Sequence, residues 1–483
     1  MKKLIINVFF MSQMVFSREV GRHDGGEYFS WISRYQNAAT LDGVKQDVDD
    51  SYELETYKDY SIVDSMVSQP CSMNFKLLRD FFPIFKLLVH NYPIIYLDSA
   101  STAQMPQMVL DAIVEYYTAY KANVGRGLYV FAERSTQIFE ETRAKVARFI
   151  GAEKQEIVFT SGATAGINLV SHVWAQHYIN KDDEIIVSEV EHNANFIPWQ
   201  QLAQRKGIVL KIVPVNEFGV IDVDVLKTYL TEKTKLVAIN HQSNILGTIN
   251  DIAEIVEVSH AVGAKVLVDA AQSIAHQKID VRQMQCDFLV FSGHKLFGPT
   301  GVGVLFIQQN LFDQCVLHNF GGGMVYSVTS EHVKFKGMPH CLEPGTQAIA
   351  QVIGLGAAID FISQNINFNE AQQHETMLVC KLAHALEQIP GIRIISVIPS
   401  EGQHNNMVTF VSDSYHAYDI AEYLDQYGIA VRSGFHCAQP YHDKLGVKAS
   451  VRISFSFYNT EEEVEFLIHC LKKLFEVSSN NNI

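Results

Sequence analysis

From Glu156 onward, short and mostly apolar runs recur with a steady beat. Ile157–Thr160, Ile185–Ser188, Val209–Val213, Leu236–Ile239, Val266–Asp269, Phe288–Phe291 and Gly303–Ile307 each read as a buried strand. Most gaps between them carry helical periodicity, as in Asp251–Val262. Alternation of this kind predicts right-handed crossovers and a mostly parallel sheet of seven strands covered on both faces, an α/β fold. In such sheets ligands bind at the carboxyl ends of the strands.

The flanks read differently. Ile94–Asp98 predicts a short strand ending in the polar turn Ser99-Ala100-Ser101-Thr102. After Pro106, Val109, Ile113, Tyr116, Tyr117 and Tyr120 form one face at helical spacing. Beyond about Gly354 the beat changes to a helix through Met377–Leu386, strands at Ile392–Val397 and Met407–Val411, and a final helix. Thr460 and Glu463 give that last helix a capping box, and Val464, Leu467, Ile468, Leu471, Leu474 and Phe475 line one side of it. The expected organisation is a large domain at 74–353, whose first residues 74–90 pack with the small one, and a smaller α+β domain at 354–483. Residues 1–73 are polar, acidic from Asp42 to Asp59 and without sustained periodicity, so they are expected to be a poorly ordered extension. Their start, MKKLIINVFFMSQMVFS, imitates a signal peptide. Asn7, Ser12 and Gln13 interrupt it and no Ala-x-Ala site follows, so a non-catalytic extension or a misassigned start is the better reading.

Composition narrows the classes. A chain of 483 residues with 47% apolar and 19% charged residues is an ordinary soluble protein of more than one core. Its net charge of −15 argues against nucleic acid as a partner. No apolar run reaches the roughly eighteen residues a membrane span needs. Seven scattered cysteines without Cys-x-x-Cys spacing offer neither a disulfide framework nor a zinc site, fit a reducing, cytoplasmic setting, and leave no metal expected.

Three features fall where strands end. Ser161-Gly162-Ala163-Thr164 opens a helix, where free N–H groups and the helix dipole favour an anion; in isolation plain helix capping is the better reading. Asp269 closes an apolar strand and needs either a cationic partner, such as a protonated pyridine nitrogen, or a capping role. Lys295, in Ser292-Gly293-His294-Lys295, either snorkels to water or carries pyridoxal phosphate as a Schiff base. Asp269 and Lys295 lie one strand–helix–strand step apart and would end adjacent strands. An anion cup, an aspartate and a lysine at successive strand ends are far more specific together than apart.

The chain resembles the fold-type I pyridoxal-phosphate enzymes, and within them the NifS-like cysteine desulfurases of the SufS type, over roughly Asn74 to Val477. The most specific match is Arg432-Ser433-Gly434-Phe435-His436-Cys437-Ala438-Gln439-Pro440, the loop that carries the nucleophilic cysteine in that branch. Glu191-His192-Asn193-Ala194-Asn195, Ser243-Asn244-Ile245-Leu246-Gly247-Thr248, Asp269-Ala270-Ala271-Gln272 and Tyr458-Asn459-Thr460 match as well.

The resemblance implies roles position by position. Lys295 carries the cofactor, Asp269 pairs with its pyridine nitrogen, Asn244 and Gln272 bond its ring hydroxyl, and His192 stacks on the ring and serves in proton transfer. Gly162, Ala163, Thr164, Ser292 and His294 form the phosphate site, joined by Thr346 from a second subunit. Arg452, with Arg432 and Asn244 in the same pocket, clamps the substrate carboxylate, a task guanidinium suits. Cys437, beside an arginine and a histidine that favour its thiolate, takes the sulfur as a persulfide.

The implied reaction converts L-cysteine to L-alanine in a homodimer. An acceptor protein of the SufE or SufU kind would pass the sulfur on for iron–sulfur cluster assembly. L-selenocysteine lyase and cysteine sulfinate desulfinase share the fold and stay open as alternatives. A non-catalytic binding or regulatory protein of this fold is opposed by the intact Asp269, Lys295, His192 and Arg452. The chain departs from its relatives at Ala163, commonly threonine; at Cys341, where an arginine often precedes Glu343-Pro344-Gly345-Thr346; and at Gly125, commonly histidine. These departures bear on phosphate and dimer contacts rather than on the reaction.

Overall fold

A computed structural model describes residues 73–480 apart from positions 126 and 401, with side chains through position 476. Except for Met73, the expected extension lies outside the described residues.

Helices α1 (Gln107–Ala119) and α2 (Val130–Ile150) precede the main sheet. On α1, Val109 and Tyr116 are buried, but Tyr117 is 50% exposed and falls off the expected face, because an adjacent residue turns about 100° away on a helix. The seven expected strands all form, within two residues of the expected ends: β1 Ile157–Thr160, β2 Glu184–Ser188, β3 Val209–Val213, β4 Thr234–Asn240, β5 Lys265–Asp269, β6 Phe288–Ser292 and β7 Gly303–Ile307. Their order is β1-β7-β6-β5-β4-β2-β3. The strands from β6 to β3 run parallel, and β7 is antiparallel to both neighbours. Successive residues feed opposite faces: Val266 and Val268 of β5 join one core, and Leu267 joins the other. The first core is covered by α2, α5 (Ile252–Ala261) and α6 (Ile349–Asn365); the second by α3 (Ala163–Val170) and α4 (Asn193–Lys206). A sheet buried on both faces explains why these strands are legible as apolar runs.

The expected domain boundary at 353/354 falls inside α6. The helix α7 (Phe368–Leu386) and the antiparallel strands β8 (Ile392–Ile394), β9 (Met407–Ser412), β10 (Arg432–Gly434) and β11 (Ser450–Ser454) follow, and α8 (Glu461–Asn480) ends the described chain. The second sheet has the order β8-β9-β11-β10. β8 is shorter than the expected Ile392–Val397. Its core draws Leu378 and Leu382 from α7, Phe410 and Ile453 from the sheet, and Leu467 and Leu471 from α8. The capping box at α8 is formed: Glu463 N–H donates to Thr460 Oγ1 (3.3 Å) and Thr460 N–H to Glu463 Oε2 (3.1 Å). The expected strand at Ile94–Asp98 is reduced to Ile95–Tyr96, which pairs in parallel with Ile429–Ala430; Ile95 and Leu97 pack into this second core. Among the described residues no single helix is long and apolar enough to cross a membrane.

Candidate active site

The carboxyl ends of β4, β5 and β6 open into a cavity of about 230 Å³. Ala163, Thr164, His192, Asn244, Asp269, Gln272, Ser292, His294 and Lys295 line it from the large sheet's side, and Arg432 and Arg452 from β10 and β11. Cα register places Asp269 beside Asn240 on one side and Val290 on the other, so Asp269 and Lys295 do end adjacent strands. The link between those strands is tighter than expected: its only α-helix is Val281–Met284.

Lys295 ends a short 3-10 turn, Gly293–Lys295, and its amine makes no hydrogen bond among the described residues. Burial lowers its pKa to about 8, against the pull of Asp269 and with the help of Arg452 and Arg432. A buried amine with a depressed pKa is a nucleophile near neutral pH. Asp269 is 6% exposed. Its Oδ1 accepts from Ala271 N–H (3.0 Å), and no other donor among the described residues reaches it. Burial pushes its pKa up, while the Ala271 amide and Lys295 pull it down. A buried carboxylate with spare acceptor capacity beside a reactive amine suits a group that brings an aldehyde and a cationic ring N–H, as pyridoxal phosphate does.

The phosphate end of such a group fits the opening of α3. Ser292 Oγ accepts from Ala163 N–H (2.9 Å), and His294 Nδ1 lies 3.1 Å from Thr102 Oγ1. Burial, then Lys295, lowers His294 to about 4. Gly303 brings the strands together here, since a Cβ on it would sit 2.5 Å from Gly162 Cα. Gln272 Nε2 donates to Ala100 O (2.8 Å) and Asn244 Nδ2 to His436 O (2.7 Å), so each amide is oriented by backbone. His192 caps α4: its Nδ1 accepts from Ala194 N–H (3.0 Å), which leaves the ring proton on Nε2. Burial, with Lys295 and Arg452 adding to it, lowers His192 to about 4, so the ring is neutral at pH 7.

Arg452 is 2% exposed, which excludes a surface salt bridge. Its Nη1 donates to Asn244 O (2.9 Å), and its Nη2 to Asp98 Oδ1 (3.0 Å) and Ser101 Oγ (2.8 Å), while Nε is buried without a partner. Arg432 is its Cα partner across β10 and β11 and also donates to Ser101 Oγ. Two guanidiniums against one carboxylate leave a net positive wall, which suits a carboxylate ligand. Asp98 and Ser101 were not singled out as site residues by sequence. The signal was the polar turn that ends the Ile94–Asp98 run.

Cys437 lies just outside the cavity lining, on the turn after β10. His436 and Cys437 both hold left-handed backbone (φ +52° and +57°), which for non-glycine residues costs about 1–3 kcal/mol each and marks functional loops. The turn is pinned over the cavity by Asn193 N–H donating to Cys437 O (2.7 Å) and by the Asn244–His436 bond. The expectation that His436 supplies positive charge is corrected. The ring is buried against Ser450, and burial, with Arg452 second, lowers it to about 2, so it is neutral scaffolding. Lys295 and Arg452 both lie within electrostatic reach of the Cys437 thiol. Burial pushes up the thiols of Cys286, Cys315, Cys341, Cys380 and Cys470. Thr346 is exposed and lines a different cavity, with Gly125 and Glu343, so this chain does not bring it to its own Lys295.

Comparison with known proteins agrees with this geometry. The aminotransferase class-V family model matches residues 95–467. The cysteine desulfurase of Shigella flexneri is 40% identical over 401 residues, covering 82% of this chain and 97% of its own length. That of Dickeya dadantii is 39% identical over 399 residues, covering 82% and 96%. The apo cysteine desulfurase of Thermococcus onnurineus superposes with a TM-score of 0.79 at 35% identity, covering 85% of this chain and all of its own. The cysteine desulfurase CsdA of Escherichia coli gives 0.77 at 35%, covering 84% and 99%. With the match running through both sheets and across every wall of the cavity, the chain belongs to the aminotransferase class-V family.

Proposed function

We propose that this chain is a pyridoxal-phosphate-dependent cysteine desulfurase of the SufS type. The observation that carries the reading is a cysteine turn pinned over a lysine–aspartate cavity that also holds two arginines. When bound, pyridoxal phosphate supplies an electron sink for charge developing at the substrate α-carbon. Lys295 would carry it covalently, Asp269 would hold its ring N–H, and Ala163, Thr164, Ser292 and His294 would take its phosphate. Arg452 and Arg432 would orient the L-cysteine carboxylate. Lys295, released by substrate, would take the α-proton at Nζ, and His192, neutral with its proton on Nε2, would serve in proton transfer. The Cys437 thiolate would attack the substrate sulfur. An S–S bond forms, the carbon–sulfur bond breaks with its electrons left on carbon, and protonation there gives L-alanine while the enzyme keeps a persulfide.

The test is to assay L-cysteine, L-selenocysteine and cysteine sulfinate side by side. Alanine from L-cysteine with an equivalent of sulfur left on the protein is expected. Turnover of only the selenium compound or the sulfinate would replace this reading with one of the related activities.

The reading extends to a cytoplasmic homodimer that hands sulfur to an acceptor of the SufE or SufU kind for iron–sulfur cluster assembly. It also divides the chain into a large domain, expected at 74–353 but including α6 through Asn365, and a smaller domain after it. Two observations support a dimer. Leu128 (94% exposed), Val130 (72%) and Tyr326 (74%) present apolar surface. Exposed Thr346 follows Glu343, which buried Arg143 grips with two nitrogens (2.7 and 2.8 Å), so its loop is held rigid while facing outward. If Thr346 serves the neighbour's phosphate site, mixing Lys295→Ala with Thr346→Ala subunits should give hybrids with one intact site and more activity than either parent. A fully active monomer by light scattering would exclude it.

A further inference from the structure

Away from the cavity, Glu375 of α7 is buried between two histidines. His276 Nδ1 lies 3.0 Å from both Glu375 oxygens, and His404 Nε2 lies 3.5 Å from Oε2. His404 is on the segment between β8 and β9, and its side chain is 8% exposed. Its Nε2 is buried without a hydrogen-bond partner. Its other nitrogen lies 3.2 Å from Thr376 Oγ1, which orients the ring. A buried ring nitrogen 3.5 Å from a carboxylate, with no hydrogen bond made, leaves a gap that either the ring's own proton or a cation would fill.

We propose that His276, Glu375 and His404 form a binding site for a borderline divalent cation of the Zn²⁺ class. A cation held at about 2.0–2.2 Å from each donor needs donors roughly 3–3.5 Å apart. The two histidine–glutamate separations meet that, and all the donor atoms fall within 4.8 Å of one another. Two imidazoles and one carboxylate are a zinc-type donor set, leaving a position for water. Binding there has a cost. The Asn406 amide lies 2.8 Å from His276 Nε2 and its Oδ1 takes a bond from Gln242 Nε2. With a cation on Nδ1, His276 Nε2 keeps a proton, so the Asn406 amide must turn to offer its oxygen. Gln242 Nε2 would then keep its bond to Gly247 O (3.1 Å). Because His276 follows Asp269 while Glu375 and His404 belong to the second core's elements, the cation would tie the two sheets together.

The test uses the holoprotein with Cys437→Ser, so that this thiol does not compete for metal. It is stripped with chelator, loaded with Zn²⁺, desalted and analysed for metal. About one zinc per chain is expected, with a melting temperature raised by a few degrees over the stripped protein. His404→Ala should retain none and show no thermal shift. His404→Asn is the second variant should alanine fail to fold. Zinc retained equally by a folded His404 variant, or no zinc retained by the parent, would overturn the site; the latter result would mean that a proton alone fills the gap.

Discussion

Lys295→Ala is expected to purify without covalently attached cofactor and to lose alanine production from L-cysteine by about 10³-fold or more, because one residue performs two tasks. In the proposed reaction its amine both joins the cofactor's aldehyde and takes the substrate's α-proton. Both depend on the same physical circumstance: burial holds the amine at about 8, so a useful fraction is unprotonated near neutrality. Adding pyridoxal phosphate should not rescue turnover, although Asp269 and the α3 terminus should still bind it reversibly. Borohydride reduction and peptide mapping check the assignment in the wild type. Pyridoxyl label on any other lysine would move the chemistry away from this strand end.

Cys437→Ala should have an equally large effect on a different half of the reaction. The thiol lies outside the cofactor cavity, and the contacts that hold its turn run through the main-chain carbonyls of His436 and Cys437. Alanine at 437 therefore leaves Lys295, Asp269 and both arginines in place. Cofactor binding, the spectral change on adding L-cysteine and α-proton exchange should persist, while desulfuration falls to background and no persulfide forms. Selenocysteine could still turn over, since selenium leaves without being attacked. Alanine at 437 meets the same φ near +57° that the cysteine already bears, so the catalytic loss is expected with little change in stability.

The large sheet was legible because it is buried on both faces: an apolar run such as Phe288–Phe291 has no solvent face to blur it. Strand adjacency made the Asp269–Lys295 pairing legible too, since a strand end and the next one are near in sequence. What escaped was what depends on contacts distant in sequence. Ile95–Tyr96 is held by Ile429–Ala430, and its length is set by that partner rather than by its own hydropathy. Asp98 and Ser101 became site residues only because β10 and β11 carry Arg432 and Arg452 across to them. His436 reads as a charge donor beside Cys437, but burial makes it neutral, and burial is not written in a nine-residue motif. The His276–Glu375–His404 cluster gathers side chains from three separate elements with no motif spacing at all, so the absence of Cys-x-x-Cys pairs said nothing about it.

The central claim is that sulfur leaves the substrate by attack of one particular thiol. Mass spectrometry of the wild-type protein after brief exposure to L-cysteine, with peptide-level localisation, tests it most directly. One added sulfur, about 32 Da, on the peptide carrying Cys437 is the expected result, with none on that peptide in Cys437→Ala. Sulfur on a different cysteine, or full turnover of L-cysteine by the alanine variant, would contradict the account.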